Sequence, residues 1–379
     1  MRATCLFHIS GNQYPPLPAR HHTTRIWDEL SKGFDEYHVI ARGKGNRYIH
    51  SVARSIHLHL LPAFGTRTWP FFFVSWALPW LVLRYKPTHL LVQCPVLGGL
   101  AAAFCSKVFR IPLFVELHGA HYFAPVKPGW KSVIEHVIYR KLSSITFGAS
   151  TRVRSLSEQM NEYILRAYGE SVARKAMVIP NRVDLDIFRY HKDAYAIGDM
   201  VRIITVGSFS KLKNHCELIR DLYKIGISFH LTIVGAGSLK EKYAAIANQL
   251  SICDRLEIIE SLDHQSLATL LPKHDIYIHY ALSEGVPRAV LEAMAAGLPV
   301  VATHVGFIGG ILRNGENAIV IEKPYADGLM KAVRLLVESG DLRKRLGIAA
   351  RHTIETRFEW SRVFERYRSA IRSMHEIEQ

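Results

Sequence analysis

Apolar residues along the chain fall in short runs, separated by stretches where they recur at helical spacing, and the two patterns alternate. Residues 3–9 (ATCLFHI) predict a first strand, followed by a loop carrying Gly11, Pro15, Pro16 and Pro18. A helix is expected over 21–33, strands at 37–41 and 58–64, an apolar helix at 69–83 and a strand at 88–94. A small-residue helix follows at 97–109, and the strand 111–119 ends in a polar loop. Residues 177–188 close this first unit, and the polar stretch 189–200 reads as a domain connection. The pattern then restarts, with strands at 201–207, 229–237 and 255–261 and helices at 216–226, 238–251 and 264–274 between and after them. NAIVIEK (317–323) is the closing strand, and residues 326–339 and 341–375 read as helical. This alternation predicts an α/β chain of two doubly wound, Rossmann-like domains, with sites at the carboxyl ends of the strands and a ligand in the cleft between the halves.

The most informative stretch is 275–306, DIYIHYALSEGVPRAVLEAMAAGLPVVATHVG. DIYIHY alternates like a strand that ends at a binding edge, and LPVVAT reads as a buried β-branched strand. Between them Pro287 is placed to open a helix and Gly297 to close it. Glu284 then lies in the loop ahead of the helix, and Glu292 sits about 7 Å along its axis. Two carboxylates flanking the positive end of one helix suit a ligand with hydroxyls at both ends and phosphates in the middle. A nucleotide sugar has that shape.

Composition narrows the class. The 379 residues are 49% hydrophobic and 21% charged, enough for two cored domains. A formal charge of +15 favours phosphate-bearing partners, whether nucleic acid, an anionic membrane or a phosphorylated substrate. No zinc finger, RNA-recognition signature or long basic tract is present, which argues against nucleic acid. Five widely spaced cysteines without a CxxC read as reduced, buried thiols of a cytoplasmic protein, and MRATCLFHIS goes straight into a strand without a signal peptide. The segment WPFFFVSWALPWLVL (69–83) is short for a membrane span and is interrupted by Pro70 and Pro79. It fits a buried helix of the first domain. With Arg67, Arg84 and Lys86 flanking it, it also fits an interfacial segment at the inner face of the cytoplasmic membrane.

Further pieces carry chemistry. Lys211 and Lys213 follow the strand that ends at Gly207, where a cation can reach a diphosphate leaving group as it gains charge. VGAGSLK (234–240) lacks the third glycine of a dinucleotide fingerprint and reads as a tight turn. His118 ends a buried strand beside Gly119 and faces the expected cleft; His121 completes an HxxH without the glutamate of a zinc protease. The DLD at 184–186 lies in a connection rather than a metal loop, so no metal is expected, and a basic cleft can do a metal's electrostatic work.

Together VGSFSKLKNH, LTIVGAG, SEGVPRAVLEAMAAGLPVVAT, PNRVDLDIF and the closing RFEW helix resemble the retaining glycosyltransferases of glycosyltransferase family 4, the glycosyl transferases group 1 with the GT-B fold. The resemblance covers the second half best, and its most specific part is the E-x7-E stretch with EAMAAGLPVV. It implies that Glu284 contacts the donor sugar's hydroxyls, Glu292 the nucleotide ribose and Lys213 the diphosphate. It gives His118 a place over the sugar near the reacting centre. The backbone at Gly285 and Val286 would bind sugar and phosphate. Departures from the family pattern are Ser208 where an arginine is frequent, so that one phosphate cation is either missing or supplied by Lys211, and Arg182 in place of a glycine. Gly306-Phe307 stands for Gly-Gly, and the first loop is SGNQYPP, where Gly11 is the donor-binding candidate. The implied domains are 1–188 on the acceptor side, 189–355 for the nucleotide sugar, and a helix at 356–379 crossing back to the first.

The expected function is therefore a retaining, metal-independent hexosyltransferase without a cofactor. It would move a sugar from a nucleotide donor to a glycan or lipid-linked acceptor in surface polysaccharide synthesis, as a cytoplasmic, peripheral membrane protein. A nucleotide-sugar epimerase of the same fold and a non-catalytic glycan-binding relative are the alternatives.

Overall fold

The computed structural model describes residues 3–19, 23–63, 69–117, 130–323 and 325–377. The chain forms two compact units, one of residues up to Pro180 together with those from Phe364 on, the other Asn181–Val363.

The first unit is built on eight strands: β1 (Cys5–Gln13), β2 (Glu36–Arg42), β3 (Ile49–Ala53), β4 (Ile56–Leu61), β5 (His89–Val92), β6 (Leu113–Glu116), β7 (Arg152–Ser155) and β8 (Ala176–Val178). Their order is β3-β4-β2-β1-β5-β6-β7-β8, parallel except for β3, which returns antiparallel on β4. β5 and β6 are buried throughout, as the apolar runs HLLV and LFVE require of parallel strands covered on both faces. The edge strand β3 has no counterpart in the sequence reading, because IHSVA is short and largely solvated. The stretch 130–178 likewise carries elements that apolar pattern does not reveal: helices Trp130–Ala149 and Glu158–Tyr168, and strands β7 and β8. In β7 the reason is Arg154, a buried cation inside the strand. Its Nη1 donates to Glu116 Oε1 at 2.5 Å, and Nε and Nη2 donate to the carbonyls of Ile179 and Pro180. A buried charge pair persists only when its remaining donors are satisfied in this way.

The apolar segment at 69–83 is a helix in three pieces, Phe71–Val74, a 3-10 turn over Ser75–Ala77 and Leu78–Tyr85, with Pro79 in the first turn of the last piece. Only one of its faces is buried. Among the described residues no helix is long and apolar enough to cross a membrane.

The second unit has six parallel strands: β9 (Val201–Val206), β10 (Phe229–Gly235), β11 (Leu256–Glu260), β12 (Ile276–His279), β13 (Val300–Thr303) and β14 (Ile319–Ile321). They run in the order β11-β10-β9-β12-β13-β14. The winding reverses between β9 and β12, and the carboxyl ends of strands at such a switch point are where ligands of doubly wound sheets bind. Ile203, Leu231, Ile233, Ile276, Ile278 and Val301 form the sheet side of the core. β12 does not alternate as its sequence suggests: all four residues are buried, Tyr277 and His279 included.

Residues 189–200 are integrated in the second unit rather than hanging free as a connection. Lys192 donates its backbone N–H to Ala296 O, and its buried ammonium pairs with Asp275 at 3.1 Å. The Tyr195 hydroxyl donates to Gly297 O, and Arg343 donates to Tyr195 O. The expected helix 341–375 is two helices, Gly340–Arg357 and Trp360–Arg372. They part where Val183 donates to Phe358 O and bridges Glu359, whose carboxylate then caps the next helix through the N–H groups of Ser361 and Arg362. The second helix carries Tyr367, whose hydroxyl donates to Glu116 of the first unit's sheet at 2.7 Å.

Candidate active site

The carboxyl ends of β9 and β12 bring the sequence candidates together. The loop after β9 turns through a 3-10 helix, Lys211–Lys213, into the helix His215–Ile225. The loop after β12 spans residues 280–287 and leads into the helix Arg288–Ala295, with Pro287 at its N-cap and left-handed Gly297 just past its end. The two loops are joined by a hydrogen bond from Leu282 N–H to Leu212 O at 2.8 Å. They are also joined by an ion pair between Lys213 Nζ and Glu284 Oε1. Both side chains keep 18% of their surface open, so each charge is largely desolvated yet can be reached. Pairing across 71 positions of sequence follows from the strand order alone.

Beneath this pair lie two buried histidines. His279, which ends β12, is driven down to about 3 by burial and by the neighbouring Lys213 and His215. His215 opens its helix and is held near 4 by burial and Lys213. Both are neutral at physiological pH, so Lys213 carries the positive charge here.

Glu292 projects from the second turn of the helix Arg288–Ala295 and is buried. Its carboxylate meets Nδ1 of His264 at 3.2 Å, and that contact holds the imidazole above its ordinary value despite partial burial. His264 opens a helix capped by Asp263, whose side chain accepts from Ser266 N–H. The apolar spacing predicts this helix, but nothing in the sequence singles out His264. Gly285 and Val286 follow Glu284 in the same loop; the Val286 carbonyl accepts from Asn181 Nδ2 at 3.1 Å, and the Gly285 carbonyl from Phe307 N–H at 3.1 Å. Ser208 and Lys211 are exposed on the β9 loop, with Ser208 Oγ 3.2 Å from Ser210 Oγ.

Two glycines set the backbone of this edge. A Cβ at Gly235 would fall 1.9 Å from Gly207 O, and one at Gly306 only 1.8 Å from Glu284 O. Gly306 also sits at φ +63°. The first glycine of the GxG therefore lets the end of β10 pass the β9 loop. Gly306 lets the loop after β13 run against the Glu284 backbone. Gly306→Ala is expected to cost about 1–2 kcal/mol from the left-handed conformation alone and to displace the Glu284 loop. A fall in melting temperature together with weakened nucleotide binding would bear this out; unchanged binding would show that the loop position is not set here.

The remaining candidates lie elsewhere. Gly11 is on the first unit near the end of β1, where its carbonyl accepts from Arg42 Nε; a Cβ there would meet only ordinary contacts. His118 and His121 fall outside the described residues. The Asp184 carboxylate accepts from the Asp186 N–H, which builds a turn. One group of metal-ligating atoms occurs among the described residues, Cys5, Glu36 and His38, all within 4.8 Å. It lies at the amino ends of β1 and β2, and both nitrogens of His38 are already engaged, by His59 and Glu36.

Residues 189–353 match Glycosyl transferases group 1 and residues 19–187 match Glycosyltransferase Family 4, together most of the chain. The chain belongs to the group 1 glycosyltransferases. An uncharacterized glycosyltransferase of Methanocaldococcus jannaschii is 28% identical to this enzyme over 266 residues, 70% of this chain and 69% of the relative. The match covers 62% of the next curated relative. Among solved structures, sucrose-phosphate synthase from Thermosynechococcus elongatus superposes with a TM-score of 0.82 over 98% of this glycosyltransferase and 99% of that chain, at 16% identity. Anabaena HepE in complex with UDP and glucose gives 0.73 over 98% and 100% of the two chains, at 14% identity. At these identities the likeness concerns the fold, which is GT-B, with two parallel-sheet α/β units.

Proposed function

We propose that this glycosyltransferase is a retaining, metal-independent enzyme that moves a sugar from a nucleoside diphosphate donor to a glycan or lipid-linked acceptor in surface-glycan synthesis. The observation that carries the reading is the meeting of Lys213 and Glu284 at the switch point, beside the amino end of the helix that bears Glu292. In this proposal Lys213 exchanges part of its pairing with Glu284 for a diphosphate oxygen and stabilises the charge that grows there as the glycosidic bond breaks. Glu284 then accepts hydrogen bonds from the donor sugar's hydroxyls. Backbone N–H groups at Gly285, Val286 and the start of the helix face the sugar and phosphates. Glu292 holds the ribose, Ser208 and Lys211 border the phosphates, and His118 keeps the place over the sugar that the family resemblance gives it.

The step breaks the bond between the anomeric carbon and the diphosphate oxygen and forms one from the acceptor oxygen on the same face. The acceptor's proton passes to the departing phosphate. No separate protein base is then needed, which fits a site whose buried histidines are shifted far below neutral pH.

Uridine diphosphate sugars are the first donors to try, since Anabaena HepE holds UDP and glucose on the same fold. A bound donor is expected to raise the melting temperature. Glu292→Gln should weaken donor binding roughly ten- to a hundredfold, the loss of one charged hydrogen bond. If no UDP-, GDP- or ADP-sugar shifts the melting temperature, or if Glu292→Gln binds donor like the parent enzyme, the assignment fails.

A further inference from the structure

The helix over residues 71–85 is apolar on two faces, and among the described residues only one of them is covered. Phe71, Ser75, Leu78 and Val82 are buried against the first unit. Trp69, Phe73, Trp76, Trp80 and Leu83 recur at alternating steps of four and three, which places them on a single stripe. That stripe is exposed: 56, 61, 45, 55 and 62% respectively. A helix that is apolar all round normally lies inside a protein or in a membrane. The neighbouring helix Gly99–Phe109 extends the stripe with Phe104 and Val108, 44 and 56% exposed. The rings of Trp76 and Phe104 meet at 5.6 Å and those of Trp69 and Phe73 at 5.8 Å, so the exposed side chains form one continuous patch.

Along the stretch of chain that carries this patch the charges have one sign. Between Glu36 and Glu116 the sequence contains no Asp or Glu, against nine Lys and Arg. Arg84, Lys86, Lys107 and Arg110 are exposed at the ends of the two helices. The Arg84 guanidinium lies 6.0 Å over the Trp80 ring. Tryptophans on the apolar face with arginine and lysine at its border are what an interfacial element presents to a lipid headgroup layer. A protein partner with an apolar face would satisfy the stripe but would leave this one-sided charge unexplained. An anionic bilayer satisfies both.

We propose that the stripe from Trp69 to Leu83, together with Phe104 and Val108, is a docking face for an anionic membrane surface. The face lies in the interface without spanning it. The inference extends the proposed lipid-linked acceptor, on which its biological sense rests, but its evidence is independent of the transfer reaction. Each basic residue at the border adds electrostatic attraction to anionic lipid, and the tryptophans supply the apolar anchorage.

The test is co-sedimentation of the full chain with unilamellar vesicles, either phosphatidylcholine alone or phosphatidylcholine mixed with phosphatidylglycerol, in the absence of any sugar donor. The protein is expected to bind the mixed vesicles, to bind pure phosphatidylcholine far less, and to be released by salt. Phe73→Ser/Leu83→Ser and Arg84→Glu/Lys107→Glu should each lower the partition coefficient by at least about tenfold, with far-UV circular dichroism and melting temperature retained because all four side chains are exposed. Failure of the parent protein to bind mixed vesicles overturns the proposal, and so does parent-like binding by both variants. A parent dimer that Phe73→Ser/Leu83→Ser converts to monomer, with no vesicle binding, would assign the face to a second copy of the chain. A protein that binds vesicles but transfers no sugar would sink the proposed activity and leave the docking face standing.

Discussion

Lys213→Met is expected to lower kcat by about a hundred- to a thousandfold at saturating donor, the loss typical of removing one group that stabilises developing transition-state charge. The methylene stem is retained, so packing of this side chain along Gly207 survives while the charge is lost. The substitution also strips Glu284 of its cation in a place where only 18% of that side chain is open. Glu284→Gln should likewise reduce turnover more than donor affinity. Because the two side chains touch, the double variant should fall well short of the sum of the single losses. Steady-state kinetics on all four proteins measures this coupling. Should Lys213→Met keep kcat within about threefold of the parent, the cation at the leaving group would have to be another residue.

A steep loss of stability between pH 6.5 and pH 4 is the second large expectation. His89, His215 and His274 are held near 4 and His59 and His279 near 3, in each case chiefly by burial, against 6.5 for an unperturbed imidazole. The unfolded chain therefore binds more protons than the folded one throughout this window, so stability rises with pH. The contribution is fully present above pH 6.5 and is lost as pH falls toward the folded values. A histidine held near 4 is worth roughly 2 kcal/mol less at pH 5 than at pH 8. Five such groups bring the loss to several kcal/mol, even though His215 and His279 lie close enough to titrate together. Urea midpoints taken at pH 8, 6 and 5 should decline progressively. A flat midpoint across that range would mean that these imidazoles are hydrated in solution.

Much of the fold is legible in the sequence because parallel strands covered on both faces must be apolar runs, and those at β9, β10 and β13 are unmistakable. The elements that escape reading do so for stated reasons. Arg154 interrupts the apolar pattern of β7, and the compensation for its charge comes from Glu116, a strand away and 38 positions earlier. The segment at 69–83 is apolar on both faces, so composition cannot say which side the protein covers. The site divides in the same way. Lys213 and Glu284 stand out because each follows a strand, yet their contact depends on β9 and β12 being neighbours, which no local spacing encodes. His264 reaches Glu292 from a helix whose apolar spacing is legible, but that spacing does not reveal which of its polar residues meets the site. The Gly306-Phe307 departure from a double glycine keeps the glycine where the Glu284 backbone leaves no room for a side chain, and places Phe307 where its N–H donates to Gly285 O.

The hydrogen bond from Tyr367 to Glu116 has a consequence for biosynthesis. The first unit is discontinuous in the chain, with a terminal piece from Phe364 on that follows the whole second unit. Domains commonly fold in the order in which they leave the ribosome. Here the second unit has all its residues available first, and the older half of the nascent chain waits with the Glu116 and Arg154 pair unsealed until the final helix emerges. A fragment stopping near Pro180 would carry that opening permanently, so the protein is best produced and dissected as a single polypeptide.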